Sequence, residues 1–210
     1  MKAVATFHEV KFSSLLSPLN WTINEGEFAW LTIPHPADHS AAIDTIFYRK
    51  PPRHGHITLW PSVTHKHCTR LVSLRAPALH KRSLLYNIRF PHSLNHKHLN
   101  APLDDSVADL LSLFELDNLA QRPFEEVEPS AQIKTLIARS LLFSPRLIIL
   151  DNILPTIESE VACRLFTILH ALTRHGLCVL NLSPITPNCS QQSLVGINAT
   201  VLVEETQHEQ

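Results

Sequence analysis

The sequence predicts an α/β fold: a parallel sheet flanked by helices, preceded by a β-rich N-terminal part. Three observations carry this. The second half alternates helix and apolar strand, in the runs "AQIKTLIARSLLF", "RLIILD", "IESEVACRLFTILHALTRH" and "LCVLNL". That alternation is how a parallel sheet is built. The two strand runs are apolar at nearly every position, not at every second one, as strands covered on both faces must be. Ahead of them, the first sixty residues hold short strand signals broken by turns, such as Asn24-Glu25-Gly26.

Taken in order, Ala3 to Phe12 alternates loosely and reads as a strand, followed by strands at Leu19 to Ile23 and Phe28 to Ile33. A polar loop with two prolines comes next. Ser40 is placed to cap a helix over Ala41 to Phe47, with Ile43, Ile46 and Phe47 on one side. Pro51-Pro52 closes it. "HGHITLW" and Arg70 to Leu74 read as strands, and Pro77 to Asn87 as a loop leading into a helix. "FPHSLNHKHLNAPLDD" is polar, His-rich and bounded by prolines, hence a connector. Asp104 or Asp105 opens the helix "SVADLLSLFEL", and Ser130 caps the next, which stops before Pro145. Thr156 precedes an amphipathic helix that Gly176 ends. "ATVLVEE" is the last strand.

The chain has 210 residues, 44% hydrophobic and 18% charged, enough for one large domain or two small lobes, soluble and with a sizeable core. No apolar run approaches the ~18–20 residues that span a bilayer. "MKAVATFHEV" lacks the apolar segment of a secretory leader, so a cytoplasmic protein is expected. Cys68, Cys163, Cys178 and Cys189 are widely spaced with no C-x-x-C, which favours free thiols over disulfides or structural zinc. Charge is divided along the chain. Residues 1–100 carry 12 Lys+Arg against 5 Asp+Glu, and residues 101–210 carry 6 against 14. Either the two parts merely have different solvated surfaces, or the basic part meets an acidic partner or anionic lipid headgroups.

Several chemistries find little support. No G-x-S-x-G is present for a serine hydrolase. The basic run "HKHCTRLVSLRAPALHKR" has no interleaved aromatics on which single-stranded nucleic acid would stack, so no nucleic-acid partner is expected. His54 with His56, His65 with His67 and Cys68, and His96 with His98 stand two apart, a spacing that puts both rings on one face of a strand. They are either ligands of a metal- or lipid-binding module or solvated surface histidines. With no matching Asp, Glu or Cys cluster nearby, the second reading is preferred and no metal site is assigned.

One loop has the layout of a phosphate-binding site. The strand Phe28 to Ile33, a tight loop and a helix follow the order of G-x-x-x-x-G-K-[ST]. Here that pattern is filled by Ile33-Pro-His-Pro36-Ala-Asp38-His39-Ser40, and only the hydroxyl remains. The glycines of such a loop let backbone N–H groups cradle phosphate oxygens, and Pro34 and Pro36 have no N–H to give. Asp38 would set a carboxylate beside the phosphates. Like charges about 4 Å apart repel by roughly 4 kcal/mol at an effective dielectric near 20. His39 is shorter than lysine and mostly neutral at pH 7. Ser40 suits a magnesium ion and a helix cap equally.

Further along, "IARSLLFSPRLIILDN" resembles the stretch of ABC-transporter ATP-binding subunits that runs from the signature helix into the Walker B strand, I-A-R-A-L-L-x-x-P-x-L-L-L-L-D-E-P-T. Ile137, Ala138, Arg139, Leu141, Leu142, Pro145, Leu147 and Asp151 stand where that pattern wants them. "LNWTINEGEF" is similar to the family's strand–E-G-E–strand approach to the phosphate loop. "PPRHGHITLW" is similar to its P-x-x-G-x-I segment, and "LRAPALHKRSLLYNI" to its Q-loop and following helix. The likeness covers about residues 4 to 204. It implies a P-loop NTPase-like nucleotide-binding domain over 1–210, with an N-terminal antiparallel β part and a helical lobe. The core and β part would lie roughly at 1–75 and 144–210, and the helical lobe roughly at 76–143.

The resemblance also marks where the active positions are altered. The Q-loop glutamine position holds Arg75. The signature L-S-G-G-Q reads Val127-Glu128-Pro129-Ser130-Ala131, so Glu128 and Pro129 stand where N–H groups would hold the γ-phosphate of the opposite subunit's ATP. Asp151 remains at the metal-associated position, but Asn152 replaces the catalytic glutamate and cannot take a proton at neutral pH. Pro155 to Glu158 stands at the D-loop, and Pro184 at the switch histidine. The expectation is a subunit that docks without hydrolysing, a scaffold or regulator at the inner face of a membrane. A membrane-spanning partner would dock near Arg75, Leu79 and Leu84, with a homodimer or a pairing with an active ATP-binding subunit beside it. The competing expectation is a weak or conditional ATPase that uses ATP and magnesium through Ser40, Asp151 and Asn152.

Overall fold

The computed structural model describes residues 2–14, 17–48, 50–60, 68–75, 77–93, 103–153, 156–184 and 197–201. The expectations at His65, His67, His96, His98, Pro155 and Cys189 lie outside the described residues.

Two sheets form. Strands β1 (Ala3–Lys11), β2 (Leu19–Asn24) and β4 (His54–Leu59) make an antiparallel sheet in the order β2-β1-β4. Strands β3 (Phe28–Thr32), β5 (Thr69–Ser73), β6 (Leu147–Asp151), β7 (Cys178–Ser183) and β8 (Ile197–Val201) make the parallel sheet, ordered β5-β6-β7-β3-β8. Helix α1 (Pro36–Ile46) follows β3. Helices α2 (Leu84–Ser93), α3 (Leu103–Leu113) and α4 (Pro129–Leu141) lie between β5 and β6, and α5 (Ser159–Thr173) lies between β6 and β7.

The apolar strand runs have a direct structural reason. Phe28 and Trp30 of β3, Ile148 and Leu150 of β6, and Val179 of β7 face a core shared with α2 to α5. The alternate residues Ala29, Leu31, Leu147, Ile149, Cys178, Leu180 and Leu182 face a second core, shared with α1 and the antiparallel sheet. A strand with a core on either side has no solvent face to mark with polar residues. The turn into β3 relies on Gly26 at φ +77, with Asn24 N–H donating to Glu27 Oε2 at 2.7 Å.

Four expectations are corrected. Ser40 does not cap α1, because the helix starts earlier: Pro36 is its first residue, and the Nδ1 of His35 accepts from Ala37 N–H at 3.3 Å. Proline suits that first turn, where its missing N–H would have no partner anyway. Ser130 is likewise inside its helix, which opens at Pro129 after Glu128. The connector expected from Phe90 begins later, since α2 runs on through Pro91 to Ser93. Leu84 is fully buried in the helix-side core, so it cannot be a docking contact. Among the described residues no helix is long and apolar enough to cross a membrane, and Cys68, Cys163 and Cys178 form no disulfide.

Candidate functional site

The site is assembled at the carboxyl ends of β3, β5, β6 and β7, where open parallel sheets generally bind their ligands. Two neighbouring cavities, of about 240 Å³ and about 370 Å³, share His39, Ser40, Ser73, Arg75 and Asp151 in their walls. The smaller is completed by Pro36, Asn152, Thr156 and Pro184, and the larger by Ile43, Phe47 and Tyr48 of the α1 end. The fold thus brings the loop, Arg75, Asp151, Asn152 and Pro184 together. Glu128 and Ser130 are elsewhere, lining a third cavity of about 440 Å³ with Glu115, Arg122 and Lys134. Pro129 begins α4 beside them.

At the centre, Asp151 is held from two sides. His39 Nδ1 lies 3.6 Å from Oδ1, and Ser73 Oγ donates to Oδ2 at 2.7 Å. Ser73 in turn accepts from Arg75 N–H at 3.2 Å. The parallel register aligns Ser73 with Asp151 across β5 and β6. Ser73 is a site residue that sequence reasoning missed: only its place at a strand end hinted at it, and strand order is not readable from one sequence. The side chains of His39 and Asp151 are 12% and 16% exposed, so their contact is shielded from solvent.

The loop is closed on itself. Ile33 is wholly buried and its N–H donates to Ser183 O at 2.9 Å. Ala37 N–H is taken by His35, and His39 N–H donates to His35 O at 3.0 Å. With Pro34 and Pro36, five of the seven positions from Ile33 to His39 therefore have no backbone donor to offer an anion. Asp38 is 5% exposed and its Oδ2 has no hydrogen-bond partner; the same holds for the buried His39 Nε2, Thr32 Oγ1 and Asn152 Oδ1. Asn152 sits at φ +48, a region asparagine tolerates, with its N–H donating to Leu182 O at 2.8 Å. Buried groups of this kind are normally satisfied. The carboxylate and amide oxygens among them call for donors.

A nucleoside triphosphate with magnesium calls for the reverse: N–H donors and cations toward the phosphates, and an uncommitted carboxylate toward the metal. The residues present do not fit that group. Asp38 adds negative charge, the loop withholds its N–H groups, and Asp151 is already engaged by His39 and Ser73.

South of this site, toward α2, a buried side chain organises the surface. Asn87 is 1% exposed; its Oδ1 accepts from Leu79 N–H at 2.8 Å, and its Nδ2 donates to Leu79 O and Ser83 O, both at 3.0 Å. Arg139 of α4 donates to Pro77 O at 2.9 Å, and burial holds its pKa below the usual arginine value. These bonds fix a segment whose outer side shows Leu74, 46% exposed, and Tyr86, 42% exposed, together with Arg75, His80, Lys81 and Arg82. Leu79 is half-buried. Arg82 lies over the Tyr86 ring at 5.2 Å.

No family model and no curated protein matches the chain. Solved structures do. The chain is similar to cbiO1 from Clostridium perfringens, part of the ABC transporter complex cbiONQ, with a TM-score of 0.77 at 14% identity, over 96% of this chain and 85% of that one. An inward-facing ABC transporter of the metal-chelate type matches with a TM-score of 0.75 at 18% identity, over 96% and 80%. The dimeric ATP-binding cassette MJ0796 bound to ADP and phosphate matches with a TM-score of 0.70 at 17% identity, over 98% and 100%. The chain has the fold of the ATP-binding cassette of ABC transporters.

Proposed function

We propose that this chain is a non-hydrolysing scaffold or regulatory subunit of a membrane transport complex, working at the inner face of the membrane. The observation that carries the reading is the His39–Asp151 contact at 3.6 Å. The position that would hold a phosphate is turned instead onto the carboxylate that would hold the metal. Loss of the N–H cradle and the buried Asp38 support the same reading. So does Asn152, which puts an amide and not a carboxylate base at the position after Asp151.

Docking is the function left to the frame. The surface made by Leu74, Arg75, Leu79, Arg82 and Tyr86 has apolar and cationic groups side by side on a segment anchored by Asn87 and Arg139. We assign it to a membrane-spanning partner. Similar chains occur within a transporter complex and as a dimer, which favours an assembly with a second cassette.

Equilibrium binding of Mg-ATP to the purified chain tests the reading, with the double substitution Asp38→Gly/His39→Lys measured alongside. The native chain should bind no Mg-ATP up to millimolar concentration. Tight binding by the native chain refutes the proposal, and turnover abolished by Asp151→Ala would establish an ATPase in its place. For docking, Leu74→Glu/Tyr86→Glu should release the membrane partner without unfolding the chain.

A further inference from the structure

We propose that His8 and His56 form a two-histidine site for a divalent transition-metal ion on the solvent face of the antiparallel sheet. In the β1–β4 ladder His8 stands opposite His56, and both are exposed. Their neighbours Phe7 and Ile57 pack toward the core. The two imidazoles face each other with ring centroids 4.8 Å apart and planes inclined by 23°.

The pairing closes the regular run of the ladder, from Ala5 opposite Leu59 to His8 opposite His56. Past His8 the register shifts, so that His54 pairs with Lys11 and not with a histidine of β1. Glu9 at φ +51 and Gly55 at φ +73 make this bulge. A Cβ on Gly55 would lie 2.2 Å from His8 O and 2.3 Å from Glu9 O, so only glycine admits so close a backbone approach. The bulge turns Glu9 toward β2, where its carboxylate and N–H meet Asn20. The two histidines are therefore held by backbone pairing on both strands, and little ordering is left for an ion to impose.

Neutral imidazole is the commonest protein ligand for zinc, copper and nickel. Metal–nitrogen bonds of ~2.1 Å put two nitrogens that share an ion roughly 3 Å apart. Facing rings 4.8 Å between centroids reach that spacing by small side-chain rotations that close one edge of the stack. Among the described residues no group of three His, Cys, Asp or Glu could hold a metal, so water completes the coordination. The affinity then follows the order of intrinsic metal strength, copper above nickel and zinc.

The test uses the full chain and its variants His8→Asn, His56→Asn and His54→Asn, titrated calorimetrically with Zn²⁺ and melted with and without it. A site that exists only when β1 and β4 are paired stabilises the native state by mass action. Native protein and His54→Asn should both bind and gain Tm. His8→Asn and His56→Asn should each lose one equivalent, with affinity at that site down at least tenfold, and lose the Tm gain. The spin-resonance spectrum of the Cu²⁺ form should show two imidazole nitrogens that either substitution reduces to one. The proposal is overturned if the native chain binds no ion. It is equally overturned if binding and the Tm gain survive in the His8→Asn/His56→Asn double variant, which would put the ion on other histidines, or if His54→Asn abolishes them.

Discussion

Replacing Asn87 by leucine keeps the branched outline of the side chain, with bulkier methyl ends, and removes its amide. Leu79 N–H has Asn87 Oδ1 as its acceptor and is orphaned. The three carbonyls that receive Nδ2 fare better, because each also accepts a backbone N–H: Leu79 O from Arg82, Arg82 O from Phe124, and Ser83 O from residue 87 itself. The cost is thus one orphaned donor at about 1–3 kcal/mol, plus about 1 kcal/mol for side-chain bonds whose acceptors stay satisfied. A total of roughly 2–4 kcal/mol leaves a domain of ordinary stability folded. Two measurements check this. Urea unfolding should show the loss at unchanged m-value, and hydrogen exchange at the Leu79 amide should rise to nearly the unprotected rate while β6 amides slow-exchange as before. Partner capture through Leu74, Arg75 and Tyr86 should weaken as their support loosens. If Leu79 remains protected, or the loss stays under about 0.5 kcal/mol, the segment is not held by Asn87 and the reasoning fails.

Other predictions concern single residues. Burial first, and the charges of Glu27 and Glu25 after it, push the Cys178 thiol up to about 12 from 9.0. Below pH 9 both folded and unfolded chains keep the proton and the contribution is constant. Above it the unfolded thiol ionises first, so stability falls by roughly 1 kcal/mol per pH unit toward 12; Cys178→Val should lack that slope in urea midpoints compared at about pH 8 and pH 10.5, and equal slopes would contradict the assignment. Gly55→Ala should lower stability by about 3 kcal/mol or more, because its Cβ has no room beside His8 O. Gly176→Ala, whose Cβ would meet nothing closer than Arg146 Nη1 at 3.6 Å, should cost about 1–2 kcal/mol for its φ alone. Comparable Tm values for the two glycine variants would count against the bulge as described.

The elements easiest to read in the sequence were those whose burial is complete. β6 and β7 announce themselves because neither face tolerates a polar residue except Asp151 and Ser183 at the ends and Asn181 within. Helix starts were harder, since three or four residues compete at each. Ser40 and Ser130 are good caps by type, yet His35 supplies the cap of α1 and proline opens both helices. Leu84 reads as a docking residue by position along the chain, and only the packing of α2 puts it inside. The altered loop was visible as residues, but not what those residues do. That Ser73 backs Asp151 depends on β5 and β6 lying side by side, and that His39 reaches it depends on β3 standing just beyond β7. The His54–His56 spacing suggested one pair, and the β1–β4 register, which no spacing rule gives, made another.

The parallel sheet feeds a separate core from each face, and this determines where substitutions can accumulate without harm to the whole. A change at Ile148 disturbs one core and a change at Ile149 the other, so the middle of each strand answers to packing alone. The strand ends answer to neither. Asn152 and Pro184 follow those ends, with His39 beside them in the first turn of α1, and each could be exchanged while both interiors kept their shape. Ile33 is the border post, a loop position drawn into the interior and now bound by its rules. Tolerance in this molecule is distributed by depth, and its edge runs between Ile33 and His39.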